Sequence, residues 1–194
     1  TNVKDYSAYV NPFIGTGGHG HTFPGAVVPH GMIQPSPDTR IDGWDACSGY
    51  YYADSTINGF SHTHVSGTGC CDYGDVLLMP TVGKQQYRTT DPQSQRLAYA
   101  SSFSHKNEIA EPGYYSVFLD TYQVKAEISS TKRGAIHRYT FPENAESGFI
   151  IDLDYSLQRQ TNSEMEIEVI SDTEICGHKK TTYWAFDQYI NFYA

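Results

Sequence analysis

Histidine is the residue type whose spacing in this sequence most suggests chemistry. Two pairs occur at i, i+2 spacing, His19 with His21 and His62 with His64, and on an extended segment both members of a pair would project to one side. Four such imidazoles could hold zinc or copper. Histidines in glycine-rich loops more often hydrogen-bond a polar ligand or the backbone, so we predict that role and expect no metal ligands in the chain.

A tryptophan in a polar setting is the second feature of interest. Trp44 lies in the glycine-bracketed segment 43–50, where its ring is either a plug for the core or an exposed platform. Exposed aromatic faces suit sugar rings, whose C–H groups are apolar and whose hydroxyls need hydrogen bonds from groups such as Asp45, His62 or Ser66. The segment favours the platform.

The glycine-rich run 15–20 satisfies the G-x-G-x-x-G spacing of dinucleotide-binding turns. That interpretation requires a helix directly after the run. Pro24 and Pro29 stand where this helix would be, and proline removes an amide donor and interrupts helices. A loop that brings backbone amides close to a ligand and a purely structural tight turn both remain open.

Charge and hydrophobicity exclude two classes of partner. Lys and Arg number 13 against 22 Asp and Glu, for a net charge of -9, so no positive field would hold a nucleic acid. No segment approaches the roughly 20 apolar residues of a membrane-spanning helix. The first residues lack the apolar stretch of a secretory signal, and we expect that any such signal has been removed.

The four cysteines are too few for a disulfide scaffold. Cys70 and Cys71 are adjacent, which would strain a bridge between them. Free, partly buried thiols are the favoured interpretation, and pairing of Cys47 or Cys176 with another cysteine in an oxidising compartment remains the alternative.

The composition divides the chain into two parts within one predicted domain, 1–194. Residues 1–75 hold 12 of the 17 glycines and five of the eight histidines but no Glu, and five prolines lie between Pro12 and Pro37. We therefore predict a loop-rich, substrate-facing part at 1–75, since long loops in a compact domain are often functional. Residues 76–194 are predicted to be strand-rich.

Short alternating, β-branched and aromatic runs indicate the strands of the second part. They predict strands at 114–119, 124–128, 135–141, 149–153, 165–170 and 182–193. Turns are predicted at Pro112-Gly113, Arg133-Gly134, 144–148 and Cys176-Gly177. Glu164, Glu166 and Glu168 alternate with apolar residues, which predicts one solvated and one apolar face. The fold class is all-β, an antiparallel β-sandwich with long Gly/Pro/His-rich loops at one face.

Three long blocks in order carry a family resemblance. Residues 9–40, the segment 43–50, and residues 59–70 followed by 72–75 resemble the opening of glycoside hydrolase family 92, and the later strands resemble it more loosely. The resemblance implies an exo-acting α-mannosidase with an N-terminal β-sandwich of the galactose-mutarotase-like super-sandwich type. A C-terminal (α/α)6 catalytic barrel would pack against it, and the match covers only the first domain.

The resemblance also implies the chemistry. Calcium and the mannose ring would lie between the two domains, with the calcium ligands mainly in the barrel. Hydrolysis with inversion needs a carboxylic acid and a carboxylate about 6.5 to 9.5 Å apart. Both belong to the barrel, so we expect no catalytic residue in this chain and no hydrolysis by the chain alone. The chain ends within or just after a strand, which favours a truncation.

The resemblance assigns substrate-binding roles residue by residue. Trp44 matches a tryptophan that stacks on the sugar at the leaving-group side. The other matched positions lie in the loop that approaches the terminal mannose or in segments near the domain junction: Gly17, Gly18, His19, Asp45, Cys47, His62, His64 and Ser66. His30 departs from the family pattern, which has Phe before Gly31-Met32.

The function implied is the N-terminal domain of a periplasmic or secreted, calcium-dependent α-mannosidase that trims mannose-containing glycans, with α-1,2 links as the expected target. Its partners would be the glycan and the C-terminal catalytic domain. Two alternatives stay open. One is a free-standing carbohydrate-binding module, and the other is a structural cap without a role in binding.

Overall fold

The computed structural model describes residues 4–87 and 93–194. In these residues the helical elements are three 3₁₀ turns, at Ser7–Tyr9, Trp44–Ala46 and Leu157–Arg159, and no helix is long and apolar enough to cross a membrane. Twelve strands make up the rest of the regular structure. They are β1 (Ser36–Asp38), β2 (Thr56–Ile57), β3 (Gly59–Ser61), β4 (Leu77–Val82), β5 (Ser101–Glu111), β6 (Tyr114–Leu119), β7 (Val124–Ser130), β8 (Ala135–Thr140), β9 (Ser147–Asp152), β10 (Thr161–Ser171), β11 (Glu174–Thr182) and β12 (Gln188–Tyr193).

The strands form three antiparallel sheets. One has the order β1-β3-β4-β9, a second has the order β2-β5-β6-β7-β8, and a third has the order β10-β11-β12. The prediction of an all-β, antiparallel sandwich is confirmed. Strands β6, β7, β8 and β9 follow one another through short turns, which is why local sequence patterns identified them.

The core lies where the first and second sheets meet. Phe60 of β3 and Tyr115 of β6 are both fully buried, and their ring centroids are 6.3 Å apart. Along β7, Val124, Ala126 and Ile128 are buried on one face. On the other face Lys125 is exposed, and Glu127 is covered through its ion pair with Arg138. This period of two is the pattern of a strand with one face against a core.

The loop-rich part is held together by backbone hydrogen bonds among its own segments more than by long strands. Up to residue 75 the described chain contains only β1, β2 and β3, of three, two and three residues. The Thr39 amide donates to the Gly49 carbonyl at 2.8 Å, and the Asn58 amide donates to the Asp38 carbonyl at 2.7 Å. Gly49 has φ 81°, and a Cβ there would lie 2.0 Å from an Asp38 carboxylate oxygen, so only glycine fits. Such contacts hold the loops in place.

Two sequence predictions for the third sheet are wrong. Cys176 and Gly177 do not form a turn but lie inside β11. Gly177 is needed there for close packing, because a Cβ would lie 2.4 Å from the Glu166 carbonyl oxygen and 2.7 Å from the Phe192 ring. The predicted run 182–193 is not one strand, since β11 ends at Thr182 and β12 begins at Gln188.

The apolar face predicted for the Glu164 to Glu168 segment is also not buried. The three acids are exposed as expected, but Met165 and Ile167 of β10 are exposed too. The register shifts between Ser163 and Glu166, which disturbs the alternation. In the described residues no further sheet layer covers this strand.

A buried ion pair ties the third sheet to the loops. The Lys179 ammonium of β11 lies 3.0 Å from an Asp75 carboxylate oxygen, with both side chains fully buried, and also donates to the Tyr155 carbonyl at 2.8 Å. Asp75 accepts further hydrogen bonds from the Thr63 hydroxyl and the Gln188 amide, each at 2.7 Å. Burial lowers the pKa of Lys179, and Asp75 opposes that shift. The anchor joins β11, β12 and the segment that follows β3.

Candidate functional site

Three chain segments converge at one surface: the loops 15–21 and 43–50, and residues 59–70, which comprise β3 and the loop after it. The first two meet where His19 Nδ1 lies 2.6 Å from Asp45 Oδ1. The first and third meet where the Gly67 amide donates to the His21 carbonyl at 2.6 Å. We call the surface built by these segments the loop face. It brings together the same three blocks that carry the family resemblance.

Trp44 is the most prominent side chain of the loop face. It is 59% exposed, so it is not a core plug. The His21 ring contacts it edge-on, with ring centroids 4.7 Å apart and an interplanar angle of 86°. A Cβ at Gly69 would lie 2.0 Å from Trp44 Cη2, so the indole rests directly on that glycine. These contacts fix the ring while leaving it accessible.

Two buried cysteines support the Trp44 turn from inside. The Cys47 thiol donates a hydrogen bond to the Trp44 carbonyl, and the Cys71 thiol donates to the Gly43 carbonyl at 3.4 Å. Burial and the neighbouring Cys47 raise the pKa of Cys71, which keeps it a neutral thiol. All four cysteines are free. Cys47 is 1% exposed, so it supports the turn and does not present a surface to a ligand.

The glycine run forms a tight turn with an open outer surface. Gly15 and Gly18 have φ of 84° and 57°, and a Cβ at Gly20 would lie 2.1 Å from the Gly15 carbonyl oxygen. Gly17 and Gly18 are exposed, and a Cβ at Gly18 would meet no atom within 4 Å. No helix follows the run, which agrees with the exclusion of a dinucleotide site.

His62 and His64 do not join the loop face, and the prediction that this pair projects to one side is wrong. His64 is buried, with Nε2 2.8 Å from Asp38 Oδ1 and Nδ1 2.7 Å from the Gln34 carbonyl. His62 contacts the Val76 carbonyl through Nδ1 at 2.6 Å. The chain bends at His62, so the two rings reach different partners and their nitrogens are occupied inside the protein. Of this block, the exposed Ser66 remains at the surface.

His62 and His137 form a partly buried pair that predicts loss of stability in acid. Their Nε2 atoms are 3.0 Å apart. Burial lowers the pKa of His62, and burial together with the neighbouring His62 lowers that of His137 to about 3. The unfolded chain, with histidine pKa values near 6.5, binds more protons between about pH 6.5 and 3, so the folded state loses stability as pH falls through that window.

We expect His137→Asn to reduce the loss of unfolding free energy between pH 7 and pH 5 by up to roughly 2 kcal/mol, measured by urea unfolding at both pH values. The matched control is His30→Asn, because His30 is exposed in a loop. The same pH dependence in both variants and the parent would show that the His62–His137 pair is not the source.

The loop face does not offer a pair of carboxylates for acid–base chemistry. Asp45 is engaged by His19. Burial opposes ionisation of Asp42, but hydrogen bonds from Gln95 and Arg159 outweigh it and lower the pKa, which is the opposite of what a general acid needs. Among residues 4–87 and 93–194, one group of three or more His, Cys, Asp and Glu ligand atoms is close enough to share an ion, namely His19, His21 and Asp45.

Sequence reasoning missed two members of the site. His21 was considered only together with the other paired histidines, for hydrogen bonding rather than metal binding, and was not among the predicted site residues, yet it packs beside Trp44. Gly69 lies in the block 59–70 and was given no role of its own, yet the Trp44 indole packs directly against it. The i, i+2 spacing of His19 and His21 was the available signal for His21. The packing of Trp44 against Gly69 joins segments that are distant in the chain, so no local sequence pattern could reveal it.

Comparisons with known proteins agree on one family. Residues 9–194 match the family description "Glycosyl hydrolase family 92 N-terminal domain". A family GH92 α-mannosidase from Bacteroides thetaiotaomicron, solved in complex with mannoimidazole, shares 40% identity with a TM-score of 0.90 over 96% of this chain. A family GH92 inverting mannosidase from the same species, strain VPI-5482, shares 30% identity with a TM-score of 0.70 over 91% of the chain.

A curated relative from Arthroderma benhamiae, an uncharacterized secreted glycosidase, is 32% identical over 143 residues and 72% of this chain. The relatives are much longer than this chain, which spans 24% and 23% of the two Bacteroides proteins and 18% of the Arthroderma protein.

Proposed function

Because the chain belongs to glycoside hydrolase family 92 and matches its N-terminal domain, we propose that the loop face forms one side of the mannose-binding pocket of an α-mannosidase. The observation that carries this proposal is the convergence of segments 15–21, 43–50 and 59–70 around an exposed Trp44. Two solved relatives are mannosidases, and one was solved in complex with mannoimidazole.

Each residue that the family resemblance assigns to the site has a proposed role. Trp44 stacks on the sugar at the leaving-group side, where its ring offers an apolar surface. Gly17 and Gly18 let the substrate approach the backbone closely, since they add no side chain. His19 and Asp45 supply polar atoms for sugar hydroxyls, and the exposed Ser66 can do the same. Cys47, His62 and His64 act indirectly by holding the loops.

The catalytic carboxylates lie, on this proposal, in a C-terminal (α/α)6 barrel that completes the pocket. One relative is an inverting mannosidase, and inversion needs two carboxyl groups separated by about 6.5 to 9.5 Å, with a water between one of them and the sugar. On the loop face the Asp45 carboxylate is hydrogen-bonded to His19, so the loop face does not supply such a pair of carboxyl groups. The chain contributes binding and orientation, and the barrel contributes proton transfer.

Calcium, which the family resemblance implies, does not fit the residues present here. Calcium takes six to eight oxygen ligands. The one candidate ligand group in the described chain contains two imidazoles and one carboxylate, which is a nitrogen-rich set. A calcium ion of the whole enzyme would therefore take its ligands from the barrel, as the resemblance implies.

The proposed setting is outside the cytoplasm, in the periplasm or in secretion, with mannose-containing glycans as substrates and α-1,2 links as the target. The secreted Arthroderma relative supports export. The acidic composition fits an uncharged sugar substrate, since no positive patch is needed to hold it.

The test is mannose release. We expect the 194-residue chain to release no mannose from α-1,2-mannobiose, and the same chain joined to a family 92 catalytic domain to release it, as measured by anion-exchange chromatography of the products. Because the chain lacks the catalytic acid and base, the rate of mannose release in its presence should equal the rate in buffer alone. Mannose release by the pure chain would contradict the proposal.

A further inference from the structure

We propose that His19, His21 and Asp45 form a binding site for a zinc-like divalent transition metal ion at the loop face. The family comparisons assign no such site to this chain. The proposal concerns the chain by itself and does not depend on the proposed sugar-binding function. It follows from the position of three side chains and from an unpaired nitrogen on one of them.

The three side chains are already gathered. Each offers one ligand atom, and these atoms all lie within 4.8 Å of one another. His19 and His21 come from the glycine-rich turn, and Asp45 comes from the Trp44–Ala46 turn, so the site spans two loop segments. Ligands of a tetrahedral ion with bonds of about 2.0 to 2.1 Å are separated by roughly 3.3 Å, so small adjustments bring this set to binding distance.

His21 provides the independent observation. It is 7% exposed, and its Nε2 atom is buried without a hydrogen-bond partner in the described structure. A buried polar atom without a partner is destabilising, so such atoms are uncommon without a functional reason. A bound metal ion in this group would provide the His21 ring with the polar partner that its surroundings lack.

The backbone holds His21 in an unusual conformation. Its φ is 54°, in the left-handed region that non-glycine residues rarely adopt. The Gly67 amide bonds its carbonyl at 2.6 Å, and Trp44 packs against its ring. With this conformation the ligand atoms of His19 and His21 both lie close to Asp45, in spite of the sharp turn between the two histidines. The site is therefore largely formed before an ion binds, which reduces the entropy lost on binding.

His19 provides the freedom that the ion needs to enter. Its Nδ1 is 2.6 Å from Asp45 Oδ1, which is closer than two ligands of one ion. The His19 side chain is 76% exposed. Because a surface pair of this kind is weak, its Nδ1 atom can move outward by the distance needed, less than about 1 Å, at little cost. The ion would replace a direct hydrogen bond with two metal–ligand bonds.

The donor set selects the class of ion. Imidazole nitrogen suits Zn²⁺, Co²⁺, Ni²⁺ and Cu²⁺, whereas Ca²⁺ and Mg²⁺ prefer oxygen ligands. Two histidines and one carboxylate give three protein ligands, which leaves a fourth position for water or a ligand. Trp44 lies beside this group, with its ring centroid 4.7 Å from that of His21, so an ion there would also fix the tryptophan turn.

The experiment titrates ZnCl₂ and CoCl₂ into the 194-residue chain, with calorimetry for zinc and visible absorption for cobalt, whose spectrum reports tetrahedral coordination. A CuCl₂ titration of the Trp184→Ala chain, in which Trp44 is the remaining tryptophan, adds fluorescence, which copper should quench. Three variants accompany the parent: His19→Ala and Asp45→Asn remove ligands, and His30→Asn is the control. Circular dichroism verifies that each variant is folded.

We expect one zinc ion per chain, at least a tenfold weaker affinity in His19→Ala and Asp45→Asn, and parental affinity in His30→Asn. Calcium at the same concentrations should not compete. Absence of zinc binding, zinc affinity unchanged in both ligand variants, or equal competition by calcium would each overturn the proposal. No sugar is present, so failure here leaves the mannose-release test unaffected.

Discussion

Replacing Trp44 with alanine in the two-domain protein, which is this chain joined to a family 92 catalytic domain, is expected to lower kcat/KM for α-linked mannobiosides by about five- to 150-fold. This corresponds to about 1–3 kcal/mol of lost transition-state stabilisation, by analogy with the loss when an aromatic side chain that stacks on a nucleic-acid base is replaced by alanine. The indole is exposed and fixed by His21 and Gly69, so its removal deletes a surface without opening the core. Steady-state kinetics would measure the loss.

Two further variants make the Trp44 result specific. Trp184→Ala removes the other tryptophan, which is 71% exposed between β11 and β12 and lies outside the three loop segments, so its effect should be much smaller. Gly69→Ala keeps the indole but displaces it, because the new Cβ would lie 2.0 Å from Trp44 Cη2, and it should cause a partial loss. Parental kinetics in Trp44→Ala would favour the structural cap.

Lys179→Met is expected to destabilise the chain by about 3–5 kcal/mol, the largest effect on stability that the structure predicts. The substitution keeps the apolar stem but removes the ammonium, and so leaves the fully buried Asp75 carboxylate without its cation. The Tyr155 carbonyl also loses its donor. Urea unfolding at pH 7 measures the change as a lower midpoint.

The neighbouring lysine provides the matched control. Lys180 pairs at the surface with Asp187, at 2.7 Å, so Lys180→Met should change stability far less. The double variant Asp75→Asn with Lys179→Met should recover part of the stability, because the unpaired buried charge is gone. Equal losses in the two lysine variants would show that the buried pair is not an anchor.

The sequence was sufficient for the strands whose partners are close along the chain. β6, β7 and β8 follow from alternating residues and from turns at Pro112-Gly113 and Arg133-Gly134. The wrong prediction of a turn at Gly177 has a physical cause. Glycine is common in turns, and it is also needed where a neighbouring strand or an aromatic ring packs closely against the backbone. Only the position of Phe192 and Glu166 in three dimensions separates the two cases.

The candidate site was only partly predictable for the same reason. Trp44 could be recognised because a tryptophan in a polar, glycine-bracketed segment is unusual. The pairing of His19 with Asp45 joins residues 26 positions apart, and the separation of His62 from His64 depends on a bend and on partners in β1 and β8. These contacts arise from the packing of loops, which leaves no periodic pattern in the sequence.

The half-site proposal is that the loop face forms one side of a mannose-binding pocket which the C-terminal barrel completes. Its most direct test is the binding of a thio-linked α-1,2-mannobioside, which a glycosidase does not cleave readily, measured by calorimetry on the chain alone and on the two-domain protein. The half-site proposal predicts binding only by the two-domain protein, weakened at least about fivefold by Trp44→Ala. Equal affinity of the chain alone and the two-domain protein would contradict it and identify a self-sufficient carbohydrate-binding module.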